Sequence, residues 1–293
     1  MKELSMTVKT VGILSPGEMG AGVGGALRDS GLSVLTCLSG RSSASRERAQ
    51  AAGIEDVPDL GTLVQRSDLI LSILVPARAR GVAAAVGEAA RAVGASTILA
   101  DCNAIAPQTV QAMETDLDGS GVTLVDGGIV GGPPRNGQGP RVYASGAAAA
   151  VLGQLDGCGI DVVDVGPEIG KASAVKMCYA AMTKGTTALR TALLVAARRL
   201  DVYDDLIAEM EDSQAAALGA ATQGMRRLPN VAYRWIGEME EIASTFAHVG
   251  VTPDFHSGAA QVFREVDATF ERDADLSDLA DAVNRLAETN EPA

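Results

Sequence analysis

Two lysines, Lys176 and Lys184, stand on one face of a long apolar stretch, Gly170 to Arg199. Lys176, Tyr179, Thr183, Lys184 and Thr187 fall at i, i+3, i+7, i+8 and i+11, the spacing of one helical face. The stretch has no proline and a single internal glycine, Gly185, and is rich in Ala, Leu, Met, Lys and Arg, all good helix formers. A lysine moves a proton near neutral pH only when desolvation or a neighbouring cation lowers its pKa. The stripe is therefore either a solvated face or the wall of a site, and the rest of the sequence must decide.

A second chemical signal lies near the start. Ser15, Gly17 and Gly20 occupy the three positions of a G-x-G-x-x-G turn, with serine for the first glycine. Small residues at such a turn let backbone N–H groups approach a pyrophosphate at a helix N-terminus. The rival reading is a plain tight turn, but this one follows a strand and opens a helix, the context a dinucleotide site needs. The next strand ends in Leu38-Ser39-Gly40-Arg41-Ser42-Ser43, without Asp or Glu. Arg41 and Ser42 suit a 2′-phosphate, so NADP is preferred over NAD.

The elements that must position these groups alternate. Strands are expected at Thr7–Leu14, Leu32–Leu38, Asp68–Val75, Ser96–Ala100, Val122–Val125, Arg141–Ser145 and Asp161–Val165. Helices fall between most of them, the first following a glycine-rich turn over Ser15–Gly25, and a glycine-proline loop spans Gly127–Pro140. Continuous apolar strands alternating with helices predict an α/β fold, a Rossmann-type doubly wound parallel sheet. After Gly166-Pro167 the alternation stops. Everything beyond reads as helix, including Tyr203–Ala221 and Tyr233–Val249 as separate helices. The expected organisation is a dinucleotide-binding domain over 1–167 and an all-α C-terminal domain over 168–293, joined by the long interdomain helix that carries Lys176.

Composition narrows the function. The 293 residues carry a net charge of −13, which disfavours nucleic acid as a partner. Aromatics make up 3% and apolar residues 47%, so the core is aliphatic. Cys37, Cys102, Cys158 and Cys178 are far apart, and His248 and His256 lie away from them, which argues against a zinc site and for reduced thiols. No apolar run is long enough for a bilayer and no signal-peptide pattern opens the chain, so a cytoplasmic, membrane-free protein is expected. The helical half is more apolar than one small domain readily buries, which predicts a homodimer through it.

The motifs, taken in order, resemble the β-hydroxyacid dehydrogenase family, relatives of 3-hydroxyisobutyrate and 6-phosphogluconate dehydrogenases. Gly12-Ile-Leu-Ser15-Pro16-Gly17-Glu18-Met19-Gly20 resembles the family's GFIGLGxMG cofactor loop. Ile70 to Pro76 resembles its strand-then-proline segment beside the nicotinamide, which places Val75 and Pro76 there. Asp101-Cys-Asn103-Ala-Ile-Ala-Pro107 resembles its D-x-S-[ST]-x-x-P stretch, with Asn103 at the cofactor. Asp126-Gly-Gly-Ile-Val130-Gly131-Gly132 resembles its DAPVSGG loop, which implies substrate contacts at Gly131 and Gly132. Gly170 to Lys176 resembles its G-x-x-x-x-x-K helix. More narrowly, SPGEMG, the GGPP loop and EMEEIASTFAHVGVTPDFHSGAA resemble a subgroup of phosphogluconate dehydrogenase-like proteins with a poorly characterised C-terminal domain.

The resemblance implies hydride transfer between NADP(H) and a small hydroxylated substrate, a hydroxyacid by preference, with Lys176 moving the hydroxyl proton. Lys184, about 12 Å further along the helix, is a candidate for an anionic end of the substrate. Three family positions depart from the pattern: Asn is Ala180, the substrate-loop Ser is Val130, and a later Lys is Gly237. Each normally touches substrate or nicotinamide, so the substrate inference weakens. An imine reductase, or a non-catalytic NADPH-binding sensor, are the alternatives.

Overall fold

The computed structural model describes residues 7–289. Along the chain run β1 (Thr10–Ile13), α1 (Glu18–Asp29), β2 (Ser33–Thr36), α2 (Ser43–Ala51), β3 (Glu55–Asp56), α3 (Leu60–Arg66) and β4 (Leu69–Ser72). A 3-10 turn (Pro76–Arg78) then leads into α4 (Ala79–Val93), β5 (Thr97–Asp101), α5 (Pro107–Asp116), β6 (Val122–Val130), β7 (Arg141–Ser145), α6 (Ala149–Leu152) and β8 (Asp161–Asp164). The remainder is helical: α7 (Lys171–Arg199), α8 (Tyr203–Ser213), α9 (Ala215–His248), α10 (Asp254–Thr269) and α11 (Leu279–Thr289).

The strands form one eight-stranded sheet in the order β3-β2-β1-β4-β5-β6-β7-β8. All pairs are parallel except β6 with β7. The expected doubly wound sheet is therefore present, with one antiparallel step. Both faces are covered, and the alternation of side chains shows it. Leu69, Leu71, Ile98 and Ala100 join the core under α1. Ile70 and Leu99 join the opposite core, under α3, α4 and α5.

Three local expectations are corrected. The run read as turn up to Gly25 is helix from Glu18 onward. Its glycines tolerate the helix because the neighbours come close: a methyl group at Gly24 would lie 2.7 Å from Ile54 Cδ1. The segment Gly127 to Val130, read as the start of a loop, belongs to the second half of β6, because β7 pairs with that strand from Asp126 to Val130. The helix expected over Tyr203–Ala221 breaks at Gln214 into α8 and the start of α9, and α9 then runs on through Pro229 and past the expected start at Tyr233. Pro229 is buried, as are Leu228, Val231 and Ala232 around it; its ring removes a helical hydrogen bond, and the burial of these neighbours offsets that loss.

The chain divides into two compact units that part between Met177 and Cys178. The boundary read at residue 167 lies just before α7, and the break falls within that helix. In the second unit α9 packs along α10, with Trp235 edge-on to the fully buried Phe263, ring centroids 5.3 Å apart. Among the described residues no helix is long and apolar enough to cross a membrane.

Candidate active site

β1 sits between β2 and β4, which are reached by crossovers to opposite sides. This is the switch point where open α/β sheets bind ligands, at the carboxyl ends of the strands. The loop after β1 is held by the Leu14 N–H donating to the Leu71 carbonyl at 3.1 Å. Two glycines of that loop serve different purposes. A methyl group at Gly20 would lie 2.1 Å from the Ser15 carbonyl oxygen, so the fold itself demands glycine there. A methyl group at Gly17 would meet nothing within 4 Å. Gly17 also has ordinary extended backbone, φ −69° and ψ −171°. Neither packing nor conformation requires glycine at 17; what it preserves is open space before a helix N-terminus. That space fits a pyrophosphate. Glu18, the first residue of α1, takes a hydrogen bond from Arg135 Nη2 at 3.0 Å.

A cavity of about 450 Å³ opens at the end of β2, lined by Leu14, Cys37, Arg41, Asp59, Arg78 and Val82 among others. Arg41 donates to the Leu14 carbonyl at 2.8 Å. Ser42 caps α2, accepting from the Ser45 N–H at 3.3 Å. Arg78, in the turn after β4, is a second cation on this cavity that the sequence did not single out; a lone arginine two residues past a proline carries no spacing signal. Two carboxylates are nearby, each with a structural duty. Asp56 of β3 accepts from the Leu38 N–H at 2.8 Å. Asp59 caps α3, and the Thr62 N–H it accepts lowers its pKa. A larger cavity of about 640 Å³ lies at the amino ends of β4, β5 and β6, near Ser67, Ser96 and Gly121. That is the wrong end of a parallel sheet for a cofactor.

Val75 and Pro76 follow β4, and Val75 is 49% exposed. Asn103 is 2% exposed, and its side chain is occupied within the protein. Its amide oxygen accepts from the Leu74 N–H, and its Nδ2 donates to Asp101 at 2.6 Å and Ser72 at 2.9 Å. Asn103 thus ties the end of β5 to Leu74, the residue before Val75 and Pro76. Burial pushes the Asp101 carboxyl up to about 6, against the hydrogen bonds from Asn103.

The Lys176 environment is built on β6. Asp126 is fully buried. Its Oδ2 accepts from Ser145 Oγ at 2.9 Å, from the Gly170 N–H at 2.9 Å and from the Ser173 N–H at 3.0 Å. Its Oδ1 accepts from Ser173 Oγ at 2.6 Å. A carboxylate so placed satisfies the N–H groups that open α7 and complements the helix dipole. The next two residues must be small. A methyl group at Gly127 would lie 2.7 Å from Cys102 Sγ, and one at Gly128 would lie 2.7 Å from the Ala172 carbonyl oxygen and 3.1 Å from Lys176 Cβ. The pair lets β6 pass between β5 and α7, and this contact brings Lys176 against the strand. Lys176 Nζ donates to the Ile129 carbonyl at 2.5 Å. Burial lowers its pKa to about 8. Gly131, with φ +117°, and Gly132 follow β6 and are exposed.

Lys184 belongs to the second unit. It forms an ion pair with Glu238, the two side chains only 12% and 13% exposed, and its ammonium lies 5.6 Å from the centre of the Trp235 ring. Its charge is already answered by a carboxylate of α9. Among the described residues no three His, Cys, Asp or Glu side chains gather as a metal site.

Residues 10–155 match the family model described as the NAD binding domain of 6-phosphogluconate dehydrogenase. Residues 197–266 match a domain of unknown function, DUF1932. The chain carries a 6-phosphogluconate dehydrogenase-type NAD-binding domain.

Individual proteins are similar to this chain over longer stretches. An uncharacterised 28.5 kDa protein of Methanothermus fervidus is 26% identical over 204 residues, 70% of this chain and 77% of that one. A conserved protein of unknown function, whose structure was found similar to 3-hydroxyacid dehydrogenases, is 28% identical with a TM-score of 0.66, covering 88% of this chain and 97% of its own. The 3-hydroxyisobutyrate dehydrogenase of Mycobacterium tuberculosis, solved with L-serine, is 18% identical with a TM-score of 0.68, covering 96% and 99%. An imine reductase of Myxococcus stipitatus, solved with NAD+, shares the fold at 18% identity and a TM-score of 0.55, covering 96% and 99%. The fold is that of NAD(P)-binding 3-hydroxyacid dehydrogenases. Within the NAD-binding domain, the glycine loop after β1 and the cavity at the end of β2 stand where a dinucleotide is expected.

Proposed function

We propose that the protein is an oxidoreductase that transfers hydride between NADP(H) and a small hydroxylated substrate, a hydroxyacid by preference, with Lys176 as general acid and base. The observation that carries the reading is Lys176 itself. It sits in the same compact unit as the dinucleotide loop, is anchored by the Ile129 carbonyl, and has its pKa lowered to about 8 by burial. A group with that pKa both takes and returns a proton near neutral pH. In the oxidative direction neutral Lys176 removes the hydroxyl proton, and in the reductive direction protonated Lys176 gives it back. A bound nicotinamide supplies or accepts the hydride. Gly17 leaves room for the pyrophosphate, and Arg41 with Arg78 answers a 2′-phosphate. Gly131 and Gly132 offer backbone to the substrate.

The test is a steady-state assay with NADPH or NADP+ against a panel of hydroxyacids and their oxo counterparts. Unchanged turnover in Lys176→Ala rejects the proton-transfer role. Imine reduction is the second reading, favoured by Ala180 and Val130, where a family amide and hydroxyl are missing. Turnover of cyclic imines without turnover of any alcohol selects it. Tight NADPH binding with no turnover at all selects the sensor reading. We also propose a homodimer built on the helical unit, because Met182 at 64%, Leu189 at 65% and Leu200 at 72% are large apolar side chains left exposed. A monomeric mass in solution rejects it.

A further inference from the structure

We propose that Arg135 sets the affinity for the cofactor's pyrophosphate by neutralising Glu18, a proposal that rests on the dinucleotide reading above. The first hydrogen bond of α1 runs from the Ala21 N–H to the Gly17 carbonyl at 2.8 Å. The N–H groups of residues 18–20 therefore precede the helical ladder, as anion-binding helix termini require. Glu18 places a carboxylate on this same turn. A carboxylate there favours the helix when no ligand is bound, and it repels a pyrophosphate arriving beside it. Arg135 Nη2 stands 3.0 Å from Glu18 Oε1. One hydrogen bond to Glu18 leaves a guanidinium, with five donors, able to face a second anion.

The approach of Arg135 is constructed by the loop that carries it. Arg135 and Gln138 exchange backbone hydrogen bonds at 2.8 Å and 3.0 Å. The turn between them is Asn136-Gly137, with φ +52° and +74°, the pair of positive angles that a type I′ hairpin needs. On one side the hairpin rests on α1: a methyl group at Gly22 would lie 3.0 Å from Pro133 Cβ. On the other it is pinned at Gly139, where a methyl group would lie 1.9 Å from the Gly159 carbonyl oxygen. Arg135 and Glu18 are 72% and 54% exposed. An ion pair that open to water contributes little to folding, which leaves charge at the cofactor loop as its role.

The experiment is a fluorescence titration with NADPH of the wild-type protein and of Arg135→Ala, Glu18→Gln, Arg135→Lys and the Arg135→Ala/Glu18→Gln double variant. Arg135→Ala, which removes the guanidinium beside Glu18, is expected to bind about three- to tenfold more weakly, and Glu18→Gln about two- to fivefold more tightly. The double variant is expected to fall between them, and Arg135→Lys to keep most of the affinity. The differences shrink as salt is raised. Unchanged binding in Arg135→Ala overturns the proposal. So does Glu18→Gln weakening binding as Arg135→Ala does, because the pair is then only an anchor for the hairpin. A wild-type protein that binds neither NADPH nor NADH overturns the dinucleotide reading and this proposal with it; binding with the wrong order of variants overturns this proposal alone.

Discussion

Gly128 lies so close to Ala172 that a single added methyl group would stand 2.7 Å from the Ala172 carbonyl oxygen. The neighbour is helix backbone, which cannot rotate away. Gly128→Ala is therefore expected to force β6 and the start of α7 apart, lowering stability by about 1–3 kcal/mol. Urea denaturation measures this. Gly132→Ala is the control, since a methyl group there meets nothing within 4 Å.

Asp126 gives a second, independent test of the same junction. Its two oxygens accept four hydrogen bonds, from Ser145, Gly170 and two groups of Ser173. Asp126→Asn turns one acceptor into a donor facing donors. The expected loss is about 2–3 kcal/mol, read as a shift of the denaturation midpoint at constant slope.

Lys176 makes two predictions about pH. With its pKa near 8, kcat/KM for oxidation should rise as pH passes through about 8, and kcat/KM for reduction should fall over the same range. Lys176→Met should lose about 10²–10⁴ in turnover while its NADPH dissociation constant stays unchanged. The stability effect has a definite sign. Burial lowers the folded pKa from 10.5 to about 8, so the unfolded chain holds the proton more tightly. The penalty for burying the charge is full below about pH 8, diminishes as pH rises, and is gone above 10.5. Lys176→Met should therefore be more stable than wild type at pH 7, by at most about 3 kcal/mol, and equal to it above pH 10.5. Thermal melts across that range decide it.

The cavity at the end of β2 predicts cofactor preference. Arg41→Ala and Arg78→Ala should each weaken NADPH by about tenfold and NADH by much less. Equal losses for the two cofactors, measured by fluorescence titration, sink the 2′-phosphate assignment.

The doubly wound sheet was legible because strands alternate with helices and the central strands are apolar throughout: Leu69, Ile70 and Leu71 face opposite cores, which a continuous apolar run allows. Glycine misled in α1 and in the second half of β6. Local propensity reads Gly22, Gly24, Gly127 and Gly128 as turn, whereas each is small because another element passes close by, a fact of tertiary structure. Pro229 misled in the same way, since packing outweighs the lost hydrogen bond within α9. Lys176 stands on the long helix that its motif predicted. Arg78 was not legible, and neither was the Glu238 that partners Lys184, because their neighbours arrive from distant parts of the chain. The contacts of Asn103 with Leu74 and Asp101 were not legible either, since they too depend on how the ends of β4 and β5 meet.

Gly17 has a practical consequence. Its backbone is one that any residue adopts, and its missing side chain touches no protein atom. Gly17→Ala should therefore yield a protein with the melting curve of the wild type that no longer recognises a dinucleotide. Such a cofactor-blind twin separates, in one substitution, what the chain needs in order to fold from what it needs in order to act.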